Sequence, residues 1–318
     1  MFRVRTQLGL TDAFMKSDFG WTWQMADSLR SSFSIAVLDS GVELHPDLKG
    51  RVAVFRDFTG RHLPGGRRIR EHVPYDEYGH GTHVCGILCG SGVQSRGRYQ
   101  GIFPWGKLVV GKVLDQRGNG AAENMLEGME WVLRQKERYH IEILNISVAI
   151  SELKDPQKVR MLQEMLLRMT REGILVVCAA GNMGPRSGSL SALGEMPQVL
   201  SVGCHDGAYY RMDPLRCERY CGRGKEKAVP RKPDLVAPGT KIISCNANHG
   251  IPYEERSGTS MATPIVSGCL ALAKVKNPKL SPNELTRALL STCKDLGEPW
   301  NKQGWGMIQP RRLFRELS

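Results

Sequence analysis

The chain has 318 residues, 41% hydrophobic and 24% charged, an ordinary make-up for a soluble globular protein of one large or two small domains. Its 44 Lys and Arg against 32 Asp and Glu give a net charge of +12, concentrated at 61–70 and 216–232. Neither stretch interleaves aromatics in a nucleic-acid motif, so both read as solvated loops and no nucleic-acid partner is expected. No apolar run approaches the roughly 20 residues that span a bilayer. The start, Met1-Phe2-Arg3-Val4-Arg5-Thr6-Gln7, lacks the apolar stretch of a signal peptide, so the reading is cytoplasmic, with no membrane partner.

Residues 1–33 carry only weak helical patterning, with Trp21, Trp23, Met25 and Leu29 as packing anchors and Gly20 as a break. They read as a lead-in segment. Without internal repeat, low-complexity tract or linker, residues 34–318 read as one domain. Ser34-Ile35-Ala36-Val37-Leu38 is a continuous apolar run ending abruptly in Asp39-Ser40-Gly41, the pattern of a strand buried on both faces. Similar runs at 108–113, 143–148, 174–179, 199–203 and 241–245 predict further strands. Helical spacing appears over 121–138, with Met125, Met129 and Val132, and over 159–171, where Met161, Met165 and Met169 form a stripe read as core filling. A long apolar helix runs from Ser260 to about Lys276 and stops near Asn277-Pro278. Ser281-Pro282-Asn283-Glu284 then opens a last helix with a Ser N-cap, Pro at its first position and an acid in its first turn. Strand and helix alternate, which predicts an α/β fold: a mostly parallel central sheet, helices on both faces, and a site at the carboxyl ends of the strands.

The nine cysteines are scattered through apolar segments, as at Cys178, Cys245 and Cys269, and are expected to be reduced thiols. Cys85 and Cys89 lie one helical turn apart, and Cys217 and Cys221 are spaced alike. No CxxC pair or matching His pair accompanies them, so no metal is assigned.

Three polar residues stand where such an architecture exposes side chains. Asp39 ends the first buried strand, His80 opens a helix within Tyr78-Gly79-His80-Gly81-Thr82-His83, and Ser260 opens the long apolar helix after Ser257-Gly258-Thr259. Singly, each reads as a turn residue or an N-cap. Together they complete one another. A serine hydroxyl needs a base to take its proton, His is the side chain tuned for that, and a buried carboxylate fixes the imidazole's tautomer. A helix N-terminus also favours negative charge developing beside the hydroxyl.

With these flanks the chain resembles the subtilisin-like serine proteases. Their three signatures correspond to Val37-Leu38-Asp39-Ser40-Gly41-Val42, His80-Gly81-Thr82-His83-Val84-Cys85-Gly86 and Gly258-Thr259-Ser260-Met261-Ala262-Thr263-Pro264. The order Asp, His, Ser is the one known for that family, and the likeness runs from about residue 20 to about 310. It implies the subtilisin-like three-layer fold and a serine endopeptidase, with Asp39, His80 and Ser260 as the triad. Cys178-Ala179-Ala180-Gly181-Asn182 is similar to the family's Ala-Ala-Gly-Asn, which makes Asn182 the oxyanion donor beside the Ser260 N–H.

The resemblance further implies that Gly118-Asn119-Gly120 and Ser147-Val148-Ala149 pair with an extended or unfolded peptide, with Ala179 and Gly181 also at the substrate site. Where the family has Ser-Leu-Gly-Gly, this chain reads Ser147-Val148-Ala149-Ile150, and the larger side chains are expected to narrow the pocket before the cut. Relatives often hold structural calcium, and Asp47 in His45-Pro46-Asp47-Leu48 stands where a ligand is common. Loop 91–98 carries two arginines in place of the usual Asn-rich pattern, so calcium is weakly supported there, and the chemistry needs no cofactor. Only about 33 residues precede the first strand, and Pro233-Asp234-Leu235-Val236-Ala237-Pro238-Gly239 matches intracellular relatives, so the intracellular group is indicated. Two alternatives stay open: a silent pseudoprotease that binds peptide, and an acyltransferase using the same triad. Oligomeric state is not legible.

Overall fold

Apolar runs with β-branched residues form the centre of the molecule, as their composition requires. The computed structural model describes residues 4–10, 15, 33–60, 73–148, 155–207, 216–248 and 250–317. Seven strands, β1 (Ser34–Asp39), β2 (Val52–Asp57), β3 (Lys107–Lys112), β4 (Ile141–Ile146), β5 (Leu175–Ala179), β6 (Leu200–Cys204) and β7 (Leu235–Ala237), form one sheet. Its order is β2-β3-β1-β4-β5-β6-β7, and every neighbouring pair is parallel. β1 sits inside it, every residue buried, with Asp39 opposite Lys112 of β3.

Helices cover both faces, which is the expected α/β architecture. On one face lie α1 (Val4–Gln7), α2 (His80–Cys89) and the long α5 (Thr259–Lys276). Helix α5 packs on β4, β5 and β6, and α6 (Pro282–Ser291) and α8 (Pro310–Glu316) pack outside it. Helix α3 (Ala122–Tyr139) and α4 (Pro156–Arg171) cover the other face, and α7 (Trp300–Gln303) is a short turn near the end. Each face has its own apolar cluster, one around α2 and α5, the other around α3 and α4. Helix α6 has the expected Ser281 N-cap, which the Glu284 side chain completes as a capping box. No described helix is long and apolar enough to cross a membrane.

Three expectations change. Residues 242–245 are a strand, β8 (Ile242–Cys245), but it pairs antiparallel with β9 (Tyr253–Arg256) outside the main sheet. The Met stripe is only partly core: Met169 is buried, Met161 is 47% exposed, and the buried face of α4 runs Leu162, Leu166, Met169. Cys204 and Cys217 form a disulfide with Cα atoms 5.9 Å apart, because the fold brings the end of β6 against a turn thirteen residues on; the other cysteines are free thiols. In the lead-in, Leu8, Leu10 and Met15 are buried in the α2 and α5 cluster, whereas Gly20, Trp21, Trp23, Met25 and Leu29 lie outside the described residues.

The α5 face shows how tight this packing is. A Cβ on Gly268 would sit 2.6 Å from Ile102 Cβ, a side-chain stem that cannot swing away. Gly268→Ala gains up to about 1 kcal/mol of helix propensity, against an overpacking cost of about 1–3 kcal/mol. The expected outcome is a net loss of stability in urea unfolding of the purified variant; an unchanged or raised midpoint contradicts this packing.

Candidate functional site

Asp39, at the carboxyl end of β1, is fully buried. Its Oδ1 lies 2.7 Å from His80 Nδ1 and accepts the Ser40 N–H at 2.7 Å. Burial, the largest influence on His80, lowers the imidazole's proton affinity. The Asp39 charge and hydrogen bond then raise it, Arg256 lowers it and Asp76 raises it, and the net result stands above the ordinary 6.5. His83, one helical turn on, is the reverse case. Burial first, then Arg256 and His80, push it down to about 3, so it is a neutral ring, with Nε2 3.1 Å from the Ile242 carbonyl.

Two residues that the sequence reading missed hold this pair in place. Asp76 Oδ1 accepts from the Ser40 hydroxyl (2.8 Å) and the Gly79 N–H (2.9 Å), while Oδ2 accepts from the Thr82 N–H (2.8 Å) and hydroxyl (2.7 Å). Ser40 Oγ in turn accepts the Gly81 N–H at 2.9 Å. The N-terminus of α2 is thereby capped by a residue outside the helix and pinned to the end of β1. Lys112, wholly buried, donates to the Ser40 carbonyl (2.6 Å) and the Leu114 carbonyl (2.8 Å), with Glu77 Oε2 at 3.1 Å. A cation inside the apolar run of β3 was the available signal.

Ser260 is the second residue of α5. Gly258, before it, has φ of 147°, where a side chain is strained, and a Cβ there would stand 3.1 Å from Asn182 Nδ2. Thr259 ties the two segments together. Its N–H and its hydroxyl each donate to Asn182 Oδ1 at 3.1 Å, and its Oγ1 accepts the Gly181 N–H at 3.2 Å. Asn182 follows β5 through Ala180 and Gly181 and is exposed.

His80, Asn182 and Ser260 line one cleft of about 450 Å³ at the carboxyl ends of β1, β3, β4 and β5. Gly118, Ser147, Val148, Ala179 and Gly181 line it too. Asp39 stands behind His80. Asn119 and Gly120 are not among the lining residues; they close the turn after Asp115, whose backbone N–H donates to the Asn119 carbonyl at 2.9 Å. Ala149 and Ile150 lie outside the described residues. Tyr78, Leu114, Arg256 and Met261 line the cleft without having been singled out. Arg256 is steered by Glu254, whose Oε1 accepts from its Nε at 2.8 Å.

A buried acid, an imidazole and a helix-terminal serine beside an asparagine make up the constellation of a serine hydrolase. Residues 30–306 match the subtilase family, Peptidase_S8. The serine protease AprX of Bacillus subtilis (strain 168) is 34% identical over 296 residues, 86% of this chain and 64% of its own length. The major intracellular serine protease of the same strain is 35% identical over 248 residues, 76% of this chain and 68% of its own. Among solved structures, Sphericase superposes with a TM-score of 0.67 at 26% identity, covering 85% of this chain and 89% of that one. The chain belongs to the subtilase family, and with it to the serine-type endopeptidases.

Calcium, which the resemblance brings to Asp47, does not fit the residues there. Asp47 is fully buried, and both its oxygens already accept from the protein: Oδ1 from the Gln94 N–H at 3.0 Å, Oδ2 from the Tyr253 hydroxyl at 2.7 Å. The loop thus offers Asp47 an N–H, where a hard cation would want six to eight oxygens. A calcium chelator is expected to leave the thermal midpoint unchanged, while Tyr253→Phe, which unpairs a buried carboxylate oxygen, costs about 1–3 kcal/mol. A midpoint that falls with chelator and recovers with calcium contradicts this.

Proposed function

We propose that the cleft hydrolyses peptide bonds through an acyl-enzyme on Ser260. His80 takes the hydroxyl proton as Ser260 attacks the carbonyl, and returns it to the leaving amine; Asp39 holds the ring with Nε2 toward the serine and stabilises its charged form. Asn182 and the Ser260 N–H donate to the oxyanion. The observation that carries this reading is the His80–Asp39 hydrogen bond behind a cleft that His80 shares with Ser260 and Asn182. The double engagement of Asn182 Oδ1 by Thr259 supports the oxyanion role, since it commits the carbonyl end of the amide to the protein and leaves Nδ2 to donate into the cleft.

The substrate in this reading is an extended or unfolded polypeptide. It adds as a strand between the Gly118 segment and Ser147-Val148-Ala149, with Ala179 and Gly181 at the floor. Gly118 and Ser147 reach the cleft from the ends of different strands, which supports a groove open to a chain on both sides. Residues 34–318 act as the catalytic domain and 1–33 as its lead-in, consistent with a family match that begins at residue 30. An intracellular setting is supported by a relative named for one.

The test is turnover of a mixed peptide library, read by mass spectrometry. The wild type is expected to cleave, Ser260→Ala to be silent, and Asn182→Ala to be slowed about 100- to 1,000-fold, the range known for oxyanion donors in this family. Cleavage surviving in Ser260→Ala contradicts the mechanism. Stoichiometric peptide binding without turnover supports the silent binder instead, and transfer of the acyl group to an added amine in preference to water supports the acyltransferase.

A further inference from the structure

A second group of reactive side chains, outside the cleft, meets where β6 ends. Cys204 is the last residue of β6, Asp206 follows two residues on, and Cys217 and Glu218 begin the short turn Cys217–Arg219. All four are buried, at 1%, 1%, 0% and 4% exposure. Cys217 Sγ lies 3.5 Å from Asp206 Oδ2 and 4.0 Å from Glu218 Oε2, and is bonded to Cys204. The donor atoms of Asp206, Cys217 and Glu218 all fall within 4.8 Å of one another.

The two acids are satisfied unequally. Asp206 Oδ1 accepts from the Gly239 N–H (3.1 Å) and the Thr240 N–H (3.2 Å), and Oδ2 accepts the Thr240 hydroxyl. Glu218 Oε1 is buried and accepts no hydrogen bond among the described residues, although Arg216 Nε forms an ion pair with it at 3.8 Å and the carboxyl group shares a hydrogen bond with Asp206. Neighbouring carboxylates removed from water are costly unless a proton or a cation joins them. Asp206 is thus paired at both oxygens, and the unpaired oxygen is that of Glu218. The other buried His, Cys and acid group among the described residues, His45, Asp47 and Cys245, has no such oxygen. There His45 Nδ1 accepts the Asp47 N–H, Nε2 lies 2.8 Å from the Pro252 carbonyl, and Asp47 is paired at both oxygens.

We propose that the reduced chain binds a zinc-class divalent cation at Cys204, Cys217, Asp206 and Glu218. Two thiolates and two carboxylates suit a borderline-soft metal in tetrahedral geometry. Bonds of about 2.0–2.3 Å set such ligands roughly 3.3–3.8 Å apart, close to the spacing of Cys217 from each acid. The disulfide is the oxidised, metal-free form of the site. A dithiol reduces it by giving up two electrons and two protons, becoming a cyclic disulfide itself, and the metal then displaces the protons of the two thiols. Hydrogen peroxide reverses this: it takes two electrons from the thiolates and two protons from solvent, is itself reduced to water, and the metal leaves. Asp206 also anchors Gly239, whose carbonyl accepts the Gly258 N–H at 2.8 Å, so the site lies one hydrogen-bonded loop from the Ser260 turn. The assignment does not depend on the peptidase reading.

The test uses the whole chain, reduced anaerobically with dithiothreitol until all nine thiols titrate in denaturant. It is then equilibrated with zinc chloride, gel-filtered, and assayed for bound metal. Stoichiometric zinc is expected in the wild type, absent in Cys217→Ser and in Glu218→Gln, and released by peroxide with the loss of two titratable thiols. Cobalt in place of zinc is expected to give a thiolate-to-metal charge-transfer band. A fully reduced wild type that holds no zinc overturns the proposal, as does zinc retained equally in Cys217→Ser or a cobalt form lacking the thiolate band. Should Cys217→Ser fail to fold, the near-isosteric Glu218→Gln decides: undiminished zinc in that folded variant also overturns it.

Discussion

The structure turns on one charged contact, that of the fully buried Asp39 against His80 at the end of an inner strand. A buried carboxylate is costly unless donors reach it. Here Ser40 and His80 both donate to Asp39 Oδ1, Oδ2 accepts nothing among the described residues, and the local architecture holds those two donors still. Ser40 gives its N–H to Asp39 and its hydroxyl to Asp76, Asp76 caps the helix that begins with His80, and Lys112 holds the Ser40 carbonyl from the neighbouring strand. Loosening any of these moves the imidazole relative to the cleft. Linkage makes the contact serve the fold as well. Since the folded pKa of His80 is raised, the charged ring stabilises the native state below about pH 6.5, and that contribution is lost as pH rises through the raised value. The neutral ring that remains above it is the form able to accept a proton, so the proposed chemistry works where this part of the stabilisation has gone.

The second constraint is backbone proximity around Ser260. Gly258 occupies a conformation hostile to side chains, Thr259 binds Asn182 and Gly181, and the helix behind them is among the most buried in the molecule. This fixes the segment after β5 relative to the start of α5. Further along the same helix, Ile102 leaves Gly268 equally little room for added volume.

How much of this was legible depended on whether local pattern or distant contact decided the outcome. β1, β3, β4, β5 and β6 could be read because each is an apolar run buried on both faces. β2 alternates, β7 is three residues long and β9 is polar, so none of them carried that signal. β8 was read as a strand, but its antiparallel partner is set by a return of the chain that residue pattern does not encode. Asp39, His80, Asn182 and Ser260 stood out by their flanking motifs, and the fold draws three of them to one cleft with the fourth directly behind. Asp76 and Lys112 were missed because their partners come from other elements, and the Cys204–Cys217 bond because thirteen residues of sequence conceal a 5.9 Å approach. Met161 misled because a thioether at helical spacing looks the same in sequence whether it faces the core or the solvent.

The pH dependence of kcat/KM on a peptide substrate tests the central claim, that Asp39 tunes His80 as the base for Ser260. The rate is predicted to rise with pH along an acid limb centred above 6.5, because only the neutral ring accepts the proton and Asp39 holds the ring's titration above its ordinary value. A rate flat from about pH 5 to 8, the span in which an ordinary histidine titrates, would contradict the account.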